Sequence, residues 1–142
     1  MIVEFYGITF DAPDGWQDIT ASLPDGSPPT ISKASGASAI QFSIAKYRGG
    51  KRPNITLDHL KSFTIEFCQK NSICIENIFT VGKNGMIHAG ASPEAVDKLL
   101  EAWYISNGND IVFVTYVGIS DDENILADEL SEAREIISSI SF

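Results

Sequence analysis

At 142 residues the chain is expected to fold as a single domain over residues 1–142. A domain of that size buries roughly two-thirds of its unfolded surface. Hydrophobic residues make up 44% of it, which excludes a disordered chain, and no apolar run reaches the ~20 residues of a membrane span. Acidic residues outnumber basic ones 19 to 10, and the net charge of −9 argues against a nucleic acid or an anionic membrane as partner.

Residues 2–10 read as a first strand, interrupted at Gly7 by a turn or bulge. The start has no basic region and no cleavage site, so it is not read as a signal peptide. Asp11-Ala12-Pro13-Asp14-Gly15 is turn chemistry, and Trp16 directly after it is expected to plug one end of a core. Residues 17–22 suggest a short edge strand, and the Pro/Gly-rich stretch 23–29 a surface loop. No Lys or Arg occurs before Lys33, whereas Glu4, Asp11, Asp14, Asp18 and Asp25 are acidic.

Residues 30–33 form a further strand, and residues 37–47 alternate, with Ile40, Phe42 and Ile44 on one face. Residues 48–53 read as a solvated basic loop; without a following helix N-terminus they are no P-loop. The first helix is placed over residues 56–71. Thr56 is its N-cap, Leu57, Leu60, Phe63 and Phe67 its apolar stripe, and Cys68 sits at the rim. Residues 73–81 and 86–91 are strands joined by a glycine turn, and residues 92–97 a helical turn or loop.

Residues 99–118 predict a long hairpin. Two apolar runs flank Asn107-Gly108, the pair favoured by a type I′ turn. The second run, from Ile111, is so rich in β-branched and aromatic residues that it reads as a mid-sheet strand buried on both faces. Asp121, Asp122 and Glu123 then open a last helix, residues 124–138. Its buried face is Leu126, Leu130, Ala133 and Ile137, with Asp128, Glu129, Glu132 and Glu135 mostly off it.

No catalytic constellation is legible. His59 and His88 lack Cys or carboxylate neighbours at zinc spacing, no serine lies in a nucleophile elbow, and Asp121-Asp122-Glu123 lacks the spacing of a calcium loop. Two cysteines, Cys68 and Cys74, are too few for a disulfide scaffold. The expectation is a cytoplasmic, monomeric protein that is no enzyme and has no cofactor and no metal.

Three stretches carry a family resemblance: residues 10–16 (FDAPDGW), the hairpin pieces 103–108 and 114–116, and the closing residues 136–142. With the order of elements, they resemble the PsbP-like α/β/α sandwich. That group also includes the DcrB-like proteins and the Ran-binding Mog family. The resemblance implies an α/β (α+β) fold around a twisted, mostly antiparallel sheet. Within it, residues 39–50 (AIQFSIAKYRGG) resemble small immunity partners of bacterial toxins, such as those of contact-dependent inhibition systems. Such proteins bind a cognate toxin domain and occlude its active site. An acidic inhibitor suits a basic toxin, for example a ribonuclease, because its carboxylates substitute for phosphates. The partner-binding candidates are Asp121, Asp122 and Glu123, then Asp11, Asp14, Asp18 and Asp25, with Tyr47 and Arg48 as anchors by residue type. The alternative within the same fold is a DcrB-like adaptor chaperone for a secretion-system effector.

Overall fold

The computed structural model describes residues 1–34, 38–72, 78–83, 85–91, 99–118 and 123–142. In chain order the elements are β1 (Ile2–Phe5), β2 (Ile8–Asp11), β3 (Trp16–Asp18), a 3-10 turn (Thr20–Ser22), β4 (Thr30–Lys33), β5 (Ser38–Ala45) and α1 (Leu57–Lys70). There follow β6 (Ile78–Lys83), β7 (Met86–Ala91), β8 (Leu99–Ser106), β9 (Ile111–Gly118) and α2 (Glu123–Ser138). β1 and β2 pair as a two-stranded sheet. The other strands form a sheet in the order β3-β4-β5-β9-β8-β7-β6. The pairs β3·β4, β4·β5, β6·β7 and β7·β8 are antiparallel. An antiparallel sheet with two helices is the expected α+β class. β9, read from its composition as a central strand, is the fourth of seven, but it is fully buried on one face and half-buried on the other rather than buried on both.

The chain divides into two compact units, residues 1–42 with 116–142, and residues 43–115. The first unit is built on aromatic rings and carboxylates. Phe5, Phe10 and Phe42 cluster, the last two stacked with ring centres 4.8 Å apart and planes 10° apart. Trp16 is buried, as its place beside the turn predicts. The strand expected over residues 2–10 is two strands. Tyr6 and Gly7 both have positive φ, 45° and 93°, so the chain reverses in a type I′ pattern and β1 pairs back on β2. The edge strand expected over residues 17–22 shrinks to β3, because the Asp18 side chain turns the backbone into a 3-10 turn instead. Its Oδ1 accepts from the Thr20 amide and hydroxyl at 2.9 and 2.7 Å.

In the second unit α1 packs on β6, β7 and β8. Thr56 caps it as expected, and His59 closes a capping box by accepting from the Thr56 amide at 3.0 Å. The fully buried line is Leu60, Thr64 and Cys68, one residue round from the expected stripe. Phe63 is left 37% exposed, and Cys68 lies in the core against Ala91, Phe67 and Ile78 rather than at the rim. Phe67 meets Phe113 edge-on at 5.1 Å, and Phe113 stacks on Tyr104 at 4.4 Å. The turn between β8 and β9 also differs from expectation. It is a four-residue loop, 107–110, in which only Gly108 has positive φ. Asn107 acts through its side chain, its Oδ1 accepting from the amides of Asn109 and Asp110 at 3.0 and 2.9 Å.

The interruption expected over residues 92–97 lies outside the described residues, as do Cys74 and the side chains of Glu123 and Leu126. Among the described residues no helix is long and apolar enough to cross a membrane.

Candidate functional site

The N-terminal stretch without Lys or Arg lies wholly in the first unit. Register in the β1–β2 hairpin pairs Ile2 with Asp11, Val3 with Phe10, Glu4 with Thr9 and Phe5 with Ile8. Paired residues share a face, so Val3, Phe5, Ile8 and Phe10 look inward while Ile2, Glu4, Thr9 and Asp11 look out. The hairpin is tied down at its base. Asp11 Oδ1 accepts from the Met1 amine at 2.9 Å, the Asp11 amide donates to Ser139 Oγ at 2.8 Å, and Thr9 bridges to Ser141.

Asp14, Asp18 and Asp25 are exposed, like Glu4 and Asp11. Asp14 and Asp18 flank the buried Trp16, and Asp25 sits in a tight turn where the Ser27 amide donates to the Pro24 carbonyl at 3.1 Å. Asp18 has the structural duty already described; its second oxygen is free of that duty. Tyr47 and Arg48 belong to the second unit. The Tyr47 amide donates to Asp110 Oδ1 at 2.7 Å and its hydroxyl donates to the Gly50 carbonyl, so the ring serves the local loop; Arg48 is exposed. Asp121 and Asp122 lie outside the described residues, and Glu123 begins α2.

The acids of α2 differ from expectation. Glu129 and Glu132 face inward because strands of the first unit offer them donors. Glu132 accepts from Trp16 Nε1 at 2.9 Å and from Lys33 Nζ at 2.9 and 3.1 Å. Trp16 and Lys33 are a cross-strand pair of β3 and β4, so one register presents both donors to one carboxylate. That hydrogen bond holds the Lys33 ammonium above its ordinary pKa, against burial and with help from the Glu132, Glu129 and Asp128 charges. Glu129, 1% exposed, accepts from the Ser38 hydroxyl and from Tyr116 OH at 3.3 Å, and its Oε1 has no hydrogen-bond partner. Burial, against the Ser38 hydrogen bond and with the Glu129 charge, pushes the Tyr116 phenol up to about 12. In the second unit burial would raise Asp110. The Tyr47 amide and Lys46, whose ammonium lies 3.1 Å away, outweigh it and hold the carboxyl low.

Among the described residues no group of three His, Cys, Asp or Glu side chains could hold a metal ion. The surface of the first unit presents five exposed carboxylates and, on the hairpin, two large apolar side chains, Ile2 and Tyr6. Sequence reading passed over both, although Tyr6 immediately before a turn glycine was a signal.

No family model matches the chain, and no curated protein matches it. Solved structures do. Cyanobacterial PsbP (CyanoP) from Synechocystis sp. PCC 6803 superposes with a TM-score of 0.59 at 14% identity, over 99% of this chain and 91% of that one. A point mutant of protein Mog1 also gives 0.59, at 12% identity, over 99% of this chain and 94% of that one. The likeness is one of fold, and the chain has the PsbP-like fold.

Proposed function

We propose that the protein is a stoichiometric inhibitor, an immunity protein that binds a basic toxin domain and occludes its active site without chemistry of its own. One observation carries this reading. The first 32 residues hold five carboxylates and no Lys or Arg, all five carboxylates are exposed, and the Met1 ammonium offsets only Asp11. Such a surface attracts a cationic site built for phosphates, speeds capture and repels polyanions. A ribonuclease domain is the partner chemistry that fits best.

Affinity capture at low salt, with bound proteins identified and their activity assayed, tests it. The expected result is one basic domain held at a one-to-one ratio, released by salt, and inhibited when the chain is added back. Charge reversal at Asp14 and Asp18 should slow capture and flatten its salt dependence. Capture of an apolar effector segment that salt does not release would overturn the reading in favour of an adaptor chaperone, and an empty capture would overturn it as well.

A further inference from the structure

Three large apolar side chains of the first unit are left in water, Met1 at 63%, Ile2 at 71% and Tyr6 at 76% exposure, and the last two lie on the β1–β2 hairpin. The fold does not account for Tyr6. Its backbone is in the left-handed region, at φ 45°, where a bulky residue is strained and Asn or Gly sits easily. Its ring contributes nothing to the Phe5–Phe10–Phe42 cluster beneath. A strained, exposed aromatic at a hairpin tip is the kind of residue that anchors an interface.

The surroundings select the partner. Ile2 and Glu4 share the outer face with Thr9 and Asp11. Asp11 already holds the Met1 amine, which leaves Glu4 as the carboxylate between the two apolar side chains. A second copy of this chain would bring a charge of −9 against the same carboxylates, and a nucleic acid or anionic lipid would be repelled in the same way. We infer that the outer face of the β1–β2 hairpin docks on a cationic protein surface, with Tyr6 entering an apolar slot and Glu4 pairing with a Lys or Arg at its rim. The inference rests on the inhibitor reading above and names its contact.

The test is an NMR titration of the isotope-labelled full chain with a short amphipathic Lys/Leu peptide, at low salt, beside a Lys/Gly peptide of equal charge. Amide shifts at Ile2, Glu4, Tyr6 and Thr9 are expected with the Lys/Leu peptide, and salt should reverse them. Tyr6→Asn relieves the strained turn and so keeps the fold. It should bind the peptide about tenfold or more weakly while its Tm is unchanged or raised. Binding that maps to Asp14, Asp18 or Asp25, or that Tyr6→Asn leaves intact, overturns the hairpin contact and spares the inhibitor reading. No shift with either peptide overturns the contact too, and the capture experiment then decides the inhibitor reading by itself.

Discussion

The two helices are held in different ways. α1 lies on the second unit through rings and small apolar residues: Phe67 on Phe113, Phe63 against Tyr104, and Cys68 beside Ala91. α2 buries an apolar face too, Ala133, Ile136 and Ile137, but adds two carboxylates, Glu132 on Trp16 and Lys33, and Glu129 on Ser38 and Tyr116. Apolar and ring packing is less directional than a hydrogen bond and tolerates volume-conserving changes at modest cost. A buried carboxylate is directional, and removing it strands its donors in a dry interior. The two helices have similar amphipathic lengths, so a hydropathy pattern alone assigns them the same mode of attachment.

The largest effect should come from Glu129→Ala. It takes from the Ser38 and Tyr116 hydroxyls their shared acceptor, leaving them only each other, and opens a cavity, and should cost roughly 3–4 kcal/mol in urea unfolding. Glu129→Gln keeps an acceptor and the side-chain shape while removing a buried charge, and should stay within about 1 kcal/mol of the parent. If both variants cost the same, charge rather than hydrogen bonding holds α2, and the contrast with α1 is of another kind.

Next is Gly90→Ala, which finds the limit of tolerance in the second unit. A Cβ at Gly90 would stand 2.6 Å from Phe79 Cζ, 2.8 Å from Trp103 Cδ1 and 2.7 Å from the Ala102 carbonyl oxygen. The two rings can turn; the β8 backbone has to move. The expected cost is about 2–3 kcal/mol, and a neutral result would show that β7 and β8 slide apart freely.

The smallest effect is one of pH. The phenol of Tyr116 ionises near ~10 in the unfolded chain and at about 12 in the fold. The unfolded state therefore loses its proton first. The stability contributed by Tyr116 is complete below about pH 10 and is lost as the pH rises towards 12. Thermal melts across that window should fall more steeply for the parent than for Tyr116→Phe. Equal slopes would mean that the pocket around Glu129 does not oppose the phenolate.

Much of this was legible in single residues. Thr56 marked the start of α1, Asn71 its end, and the composition of β9 its central place, because caps and β-propensity act over a few residues. Other features were misread for the same reason. Asn107-Gly108 carries the strongest short-range hairpin signal, yet the type I′ pattern is found at Tyr6-Gly7. In the β8–β9 loop the Asn107 side chain takes up two amides, which favours a longer connection.

By itself, the sequence determined the class of fold, the positions of most strands and both helices, and the acidic bias of the first 32 residues. These follow from periodicity, capping and charge, all readable along the chain. Only the tertiary structure decided which carboxylates are exposed and which are buried. The donors that draw Glu129 and Glu132 inward stand 91, 99 and 116 residues away, on strands whose register brings Trp16 and Lys33 side by side. It also decided that Tyr6 faces water, since a ring is buried or exposed according to what the rest of the chain places over it.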